Sequence, residues 1–128
     1  MARMMDLAHQ AGAYVFFHSD GAVRRILPDM ITTGIDVLNP IQWRCDGMDR
    51  SGLKADFGDQ IILHGAVDNQ QTLPFGTVED VRSEVIQNIE ILGAGGGYIL
   101  APCHNIQAIS PVENIVAMYE TGYHLGWS

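Results

Sequence analysis

Ile61-Ile62-Leu63-His64-Gly65 and Gly97-Tyr98-Ile99-Leu100-Ala101 are the stretches whose reading decides the fold. Each is a near-continuous apolar run of strand length, without the apolar-polar alternation of a sheet wetted on one side. Such runs suit parallel strands buried on both faces. Upstream, Ala13-Tyr14-Val15-Phe16-Phe17 and Asp36-Val37-Leu38-Asn39-Pro40-Ile41 read the same way, apart from the polar ends of the second.

A helical segment follows each run. After the first, Val23, Ile26, Leu27, Met30 and Ile31 recur at helical spacing, and Gly34 supplies a stop. Pro28 splits that pattern into a turn over 22–27 and a helix with proline near its first position. Met48 to Phe57 makes a short helix ended by Gly58. Thr77 with Asp80 predicts a helix cap, and Val78, Val81, Val85, Ile86, Ile89 and Leu92 predict one apolar stripe, stopped by Gly93. Ser110-Pro111-Val112-Glu113 has capping-box spacing and predicts a last helix with Pro111 at its first position. Met4, Met5, Leu7 and Ala8 before Gly12 read as the closing turns of a helix, so the chain is expected to begin inside an α element. The pattern is β-α four times over, with right-handed crossovers and a parallel sheet. Residues 1–128 are expected to form one domain. Two architectures fit: a small open doubly wound sheet, or half of an eight-fold βα barrel, whose full form takes about 250 residues.

Composition narrows the function classes. The 128 residues hold 7 Lys and Arg against 15 Asp and Glu, a formal net charge of -8. That balance argues against a nucleic-acid groove and against an anionic membrane surface. Hydrophobic residues make up 47% and charged ones 17%. The chain therefore has a real core and more apolar surface than usual, which favours a partner surface. With 2 cysteines, Cys45 and Cys103, no disulfide framework is implied. A reduced, cytoplasmic compartment is the expectation. No apolar run approaches a transmembrane span of about 20 residues.

In both architectures ligands bind at the carboxyl ends of the strands. Those ends carry His18-Ser19-Asp20-Gly21, Asn39-Pro40-Ile41-Gln42, His64-Gly65-Ala66-Val67-Asp68-Asn69 and Pro102-Cys103-His104-Asn105-Ile106-Gln107. One reading is a metal site. His18, Asp20 and His104 supply two imidazoles and a carboxylate for a divalent metal such as zinc, and Cys103 can add a thiolate. The alternative is that these side chains tie loops together. A second reading is acid-base chemistry by Asp68 and His104 on a carboxylated substrate, with Asn39, Gln42 and Asn105 as binding groups. Against it, Asp68-Asn69 is also a common turn cap. His64, inside an apolar run, reads as a satisfied core histidine, and Cys103 as a buried thiol. Gly93-Ala94-Gly95-Gly96-Gly97 precedes a strand, the reverse of a phosphate loop, and reads as a connection. Ser19 lacks a nucleophile-elbow context. Trp43 and Trp127 lie outside the strands, where each can face a partner or equally pack on helices.

Taken together, Phe16-Phe17-His18-Ser19-Asp20-Gly21, Gly34-Ile35-Asp36-Val37-Leu38-Asn39-Pro40-Ile41-Gln42, Gly65-Ala66-Val67-Asp68, Leu73-Pro74-Phe75-Gly76, Gly96-Gly97-Tyr98-Ile99-Leu100-Ala101-Pro102 and His104-Asn105-Ile106-Gln107 with Pro111-Val112-Glu113-Asn114-Ile115 resemble the uroporphyrinogen decarboxylase superfamily. The resemblance covers nearly the whole chain, in order. It is nearest to the decarboxylase-like branch beside the corrinoid-dependent methyltransferases. It implies a TIM-type barrel of which this chain matches the carboxyl-terminal four βα units. The arginine and aspartate that grip the tetrapyrrole carboxylates lie in the other half of true decarboxylases and have no counterpart here. In the methyltransferase branch a His-x-Cys pair and a later Cys bind zinc. His18 matches that histidine, Asp20 stands at the first cysteine and His104 at the second, with Cys103 one position earlier. Such a donor set is harder and less selective for zinc. A histidine occupies the His104 position in the decarboxylase branch as well.

The expected activity is therefore decarboxylation or methyl transfer on a small carboxylated or methylated substrate. The alternative is an inactive fragment, serving as a self-associating scaffold or as one subunit of a split barrel. A half-barrel exposes two strand edges and its inner face. The expected partner is a second copy completing the barrel as a homodimer or other oligomer, or else a chain carrying the amino-terminal half. Family analogy adds a corrinoid protein.

Overall fold

The computed structural model describes residues 1–126. Four parallel strands, β1 (Phe16–His18), β2 (Val37–Asn39), β3 (Ile62–Val67) and β4 (Tyr98–Pro102), pair in the order β1-β2-β3-β4. The helices are α1 (Ala2–Gln10), α2 (Leu27–Thr32), α3 (Arg50–Phe57), the short α4 (Thr72–Phe75), α5 (Val78–Leu92) and α6 (Val112–Leu125).

The strand order separates the two architectures. Every crossover steps in the same direction, so right-handed connections place all helices on one face. A doubly wound sheet needs a reversal of order at a switch point, and there is none. The sheet is therefore four consecutive units of a βα barrel. Leu38 and Leu63 point to the helical side and are fully buried with Leu27, Leu53 and Leu92, beside the nearly buried Met30. A second cluster joins Val67 to Leu73, Val81, Val85, Ala117 and Met118 beneath α5 and α6.

The other face, the inside of a barrel, is open at its edges. Phe16 is 53% exposed and Ile99 43%. Burial on both faces, expected for every strand, holds for β2 alone throughout its length. The runs are apolar as barrel strands are, and among the described residues no layer covers their inner face.

Two caps divide on inspection. Thr77 and Asp80 form the expected reciprocal capping box on α5. Ser110 forms none with Glu113. Pro111 takes the N-cap position, α6 starts at Val112, and the Ser110 hydroxyl is buried without a hydrogen-bond partner among the described residues. The start of α6 is fixed instead by Asn114, whose amide donates to the Leu73 and Gly76 carbonyls.

The buried face of α5 also departs from its apolar pattern. Glu84 and Asn88 are buried on it, while Ile86 reaches solvent. Both polar side chains hold backbone at the end of β3. Glu84 accepts from the Asp68 N–H, and Asn88 donates to the Ala66 carbonyl. Trp43 donates to the same carbonyl. Its ring lies between the Arg44 and Arg50 guanidiniums, 4.3 and 4.4 Å from the centroid, so it packs within the chain and is not a free partner face. Trp127 lies outside the described residues. Gly95, Gly96 and Gly97 all have positive φ and make the expected helix-to-strand connection, held by Lys54 on the Gly96 carbonyl.

Candidate functional site

At the carboxyl ends of the strands the open face holds a cavity of about 650 Å³, with His18, Asn39, His64, His104 and Asn105 in its polar wall and Phe16, Ile106 and Tyr119 in its apolar wall. The polar wall follows from register. His18 pairs with Asn39 across β1 and β2, and parallel neighbours point the same way. On β3, Ile62 and His64 alternate onto the inner face, before positive φ at Gly65 and Ala66 breaks the alternation. Three polar side chains thus line up across three strands.

They are hydrogen-bonded to one another. His18 Nδ1 lies 2.6 Å from Asn39 Oδ1, and Asn39 Nδ2 lies 2.8 Å from His64 Nδ1. His18 Nε2 lies 3.2 Å from Asp20 Oδ2. The His104 ring stands edge-on to His18, with centroids 6.1 Å apart. The Asn39 carbonyl, chiefly, and Asp20 raise the His18 pKa above the ordinary histidine value, against a smaller opposing effect of burial. Burial lowers that of His64, which also packs edge-on against Phe16 at 4.9 Å. The cavity therefore has one imidazole biased towards the cation and one towards the neutral ring, side by side.

His18, Asn39, His104 and Asn105 thus share one cavity, and Asp20 joins them through His18. Asp68 does not. Its carboxylate is buried on the far side of β3, where it accepts from the N–H groups of Gln70, Gln71 and Thr72 and from Arg44 Nε at 2.7 Å. The turn-cap role is the one it fills, and its pairing with His104 is not formed. Gln42 is also outside the cavity wall. Its Oε1 accepts from the Gly21 N–H and ties the first two strand-end loops together.

Cys103 is 3% exposed, and its thiol donates to the Ile41 carbonyl at 3.4 Å. Burial pushes the thiol up to about 12. Among the described residues no three His, Cys, Asp or Glu side chains are gathered in a metal-holding group. The donor set named from spacing does not fit a thiolate-bearing metal centre: Cys103 is committed to backbone, and both His18 nitrogens face Asn39 and Asp20.

Two participants escaped the sequence reading. His64 was expected in the core, and it lines the cavity. The period-two alternation along β3 and its register with Asn39 were the available signal. Arg44 has no motif. It reaches Asp68, Thr72 and, at 3.7 Å, Glu84, and so fixes the loop after β3.

A one-sided parallel sheet with a polar cavity at its carboxyl ends defines the chain as part of a βα barrel. Residues 1–124 match the family model of uroporphyrinogen decarboxylase (URO-D), and the chain belongs to that family. A uroporphyrinogen decarboxylase of Psychromonas ingrahamii is 30% identical over 82 residues, which span 64% of this chain and 22% of that protein. A solved methyltransferase from Methanosarcina mazei superposes with a TM-score of 0.75 at 26% identity, over 98% of this chain and 35% of that one. The chain thus spans about a fifth to a third of the length of these relatives. The first of these relatives is by name a decarboxylase and the second a methyltransferase. No helix among the described residues is long and apolar enough to cross a membrane.

Proposed function

We propose that the cavity binds a small carboxylated substrate and supports its decarboxylation. The observation that carries this reading is the hydrogen-bonded row Asp20–His18–Asn39–His64 along one wall, with His104 facing it. Imidazole N–H groups, one of them on a ring biased to the cation, suit a carboxylate. Phe16, Ile106 and Tyr119 offer the apolar contact for the rest of a small molecule.

Decarboxylation breaks the bond from carbon to the carboxylate. Carbon dioxide leaves without the bonding electrons, and the pair stays on the substrate carbon. That carbon must then take one proton. His18 is the donor: Asp20 and Asn39 both favour its charged form, and its half-exposed ring regains a proton from solvent. His104 and Asn105 orient the substrate. Methyl transfer through a metal-activated thiol has less support, because the thiolate position is not provided.

The test is calorimetric titration of the full chain with small mono- and dicarboxylates, beside His18→Gln and His104→Gln. Loss of one charge-assisted hydrogen bond is expected to weaken binding about tenfold or more. Absence of binding to any carboxylate at millimolar concentration would sink the reading and favour a scaffold.

A further inference from the structure

Asn39 stands between two imidazoles and presents a different end of its amide to each. Oδ1 faces His18 Nδ1 at 2.6 Å, and Nδ2 faces His64 Nδ1 at 2.8 Å. Oδ1 has no hydrogen to give, so the first contact needs an N–H on His18 Nδ1. Nδ2 has no lone pair to offer, so the second needs a bare Nδ1 on His64. A neutral imidazole carries one proton, and that of His64 must then sit on Nε2. Turned through a half-rotation, the same amide would demand the opposite at both rings. His18 would accept at Nδ1 and keep its proton on Nε2 toward Asp20. His64 would donate from Nδ1.

Two neighbours are compatible with the orientation found. Asp20 Oδ2 lies 3.2 Å from His18 Nε2, so a His18 that also donates from Nδ1 is an imidazolium with both protons partnered. The His64 ring is packed against Phe16 in a partly apolar setting, which favours its neutral form. One amide thus makes two adjacent rings inequivalent.

We propose that Asn39 is the positioning residue of this site: its amide makes His18 a donor at Nδ1 and confines the single proton of His64 to Nε2. For function this rests on the carboxylate reading above. It deepens that reading by stating why the cavity selects anions. With Asn39 in this orientation, His64 Nδ1, the one bare ring nitrogen of the row, is occupied by the Asn39 amide. The row then keeps one unpartnered ring N–H, at His64 Nε2, beside the positive charge of His18, and has no free imidazole acceptor.

Long-range proton–nitrogen correlation on the full chain labelled with ¹⁵N-histidine, in mildly acidic buffer, assigns the protonated nitrogen of each ring. The wild type is expected to show His64 protonated at Nε2 alone and His18 protonated at Nδ1. In Asn39→Asp a carboxylate accepts from both rings. The His64 proton is then expected to move to Nδ1, with His18 unchanged. Wild-type His64 protonated at Nδ1 overturns the proposal. So does an Asn39→Asp chain with native amide dispersion and an unmoved His64 proton. If that variant does not fold, the wild-type assignment decides alone. Calorimetry with carboxylates is read separately. Expected tautomers without carboxylate uptake leave the role of Asn39 standing and remove the carboxylate reading; uptake with reversed tautomers does the opposite.

Discussion

At the scale of single residues, burial decides which titratable groups are available for chemistry. Cys103 and Cys45 differ in this respect, the first buried and raised, the second half-exposed. Alkylation with iodoacetamide is expected to label Cys45 in the native chain and to reach Cys103 only under denaturant. Mass spectrometry of the digested protein reads both sites, and rapid native labelling of Cys103 would mean that its thiol is open to the cavity. Glu84 is the opposite case of a buried acid. It accepts from the Asp68 N–H and the Thr72 hydroxyl, and burial raises its pKa above the ordinary value of 4.5. The folded state then holds the Glu84 proton more tightly than the unfolded state does. The contribution of Glu84 to stability is therefore largest at low pH and falls as pH rises from 4.5 to the raised folded value. Urea midpoints measured across that window are expected to decline in the wild type and to decline less in Glu84→Gln. Equal slopes would show that Glu84 is ordinary in the fold.

At the scale of elements, the end of β3 is where backbone conformation is most constrained. Gly65 has φ 107, and a Cβ there would meet Pro40 and the Ile41 nitrogen at 3.4 Å. Ala66, with φ 76, is the one positive-φ residue other than glycine among the described residues. Its carbonyl is held by both Trp43 and Asn88. Gly65→Ala is expected to lower stability by about 1–3 kcal/mol, since the added strain has no compensation. Ala66→Gly is expected to be near neutral, because relief of left-handed strain of about 1–2 kcal/mol is offset by added freedom of the unfolded chain. Denaturant unfolding of both variants checks the pair; equal losses would point to packing and not to φ. Gly122 differs: its φ is not left-handed, and a Cβ there would meet the Leu100 Cδ2 methyl, so the Leu100 side chain would have to move.

At the scale of the molecule, the open edges dominate. The accessible surface is 7309 Å², against about 6,700 Å² expected for a compact monomer of 14.0 kDa. Exposed apolar side chains gather at both ends of the sheet: Met4, Leu7, Tyr14 and Phe16 beside β1, and Val112, Val116 and Tyr119 on α6 beside β4. Between α6 and β4 an apolar groove runs past Leu100, Met118 and Gly122. One edge thus carries exposed apolar side chains and the other a groove, and two copies pairing through these edges would supply the eight strands of a barrel. Light scattering on the eluted chain is expected to give twice the chain mass. A stable monomer at micromolar concentration would refute self-closure and leave the edges to another polypeptide segment.

Much of this was legible in the sequence, and the physical reason is locality. Gly34, Gly58, Thr77 and Asp80 act on neighbouring backbone, so helix ends could be read from a few residues. Apolar runs marked the strands, and the order of chemistry-bearing residues at their ends placed His18, Asn39, His104 and Asn105 on one rim. The choice between an open doubly wound sheet and a half-barrel was not local. It depends on which strands are neighbours, and one apolar run does not say which other run it pairs with. Nor was the division of labour among the polar residues local. Asp68 and His104 both follow a strand, yet only the second reaches the cavity. Arg44 and three backbone N–H groups satisfy the first, and those partners lie 2 to 24 positions away in sequence. His64 looked like a core residue until register set it beside Asn39. The sequence determined the strands, the capping box at Thr77 and Asp80, and the family. The tertiary structure decided which polar groups were left to face a ligand, because that depends on what each is bonded to once the strands lie side by side.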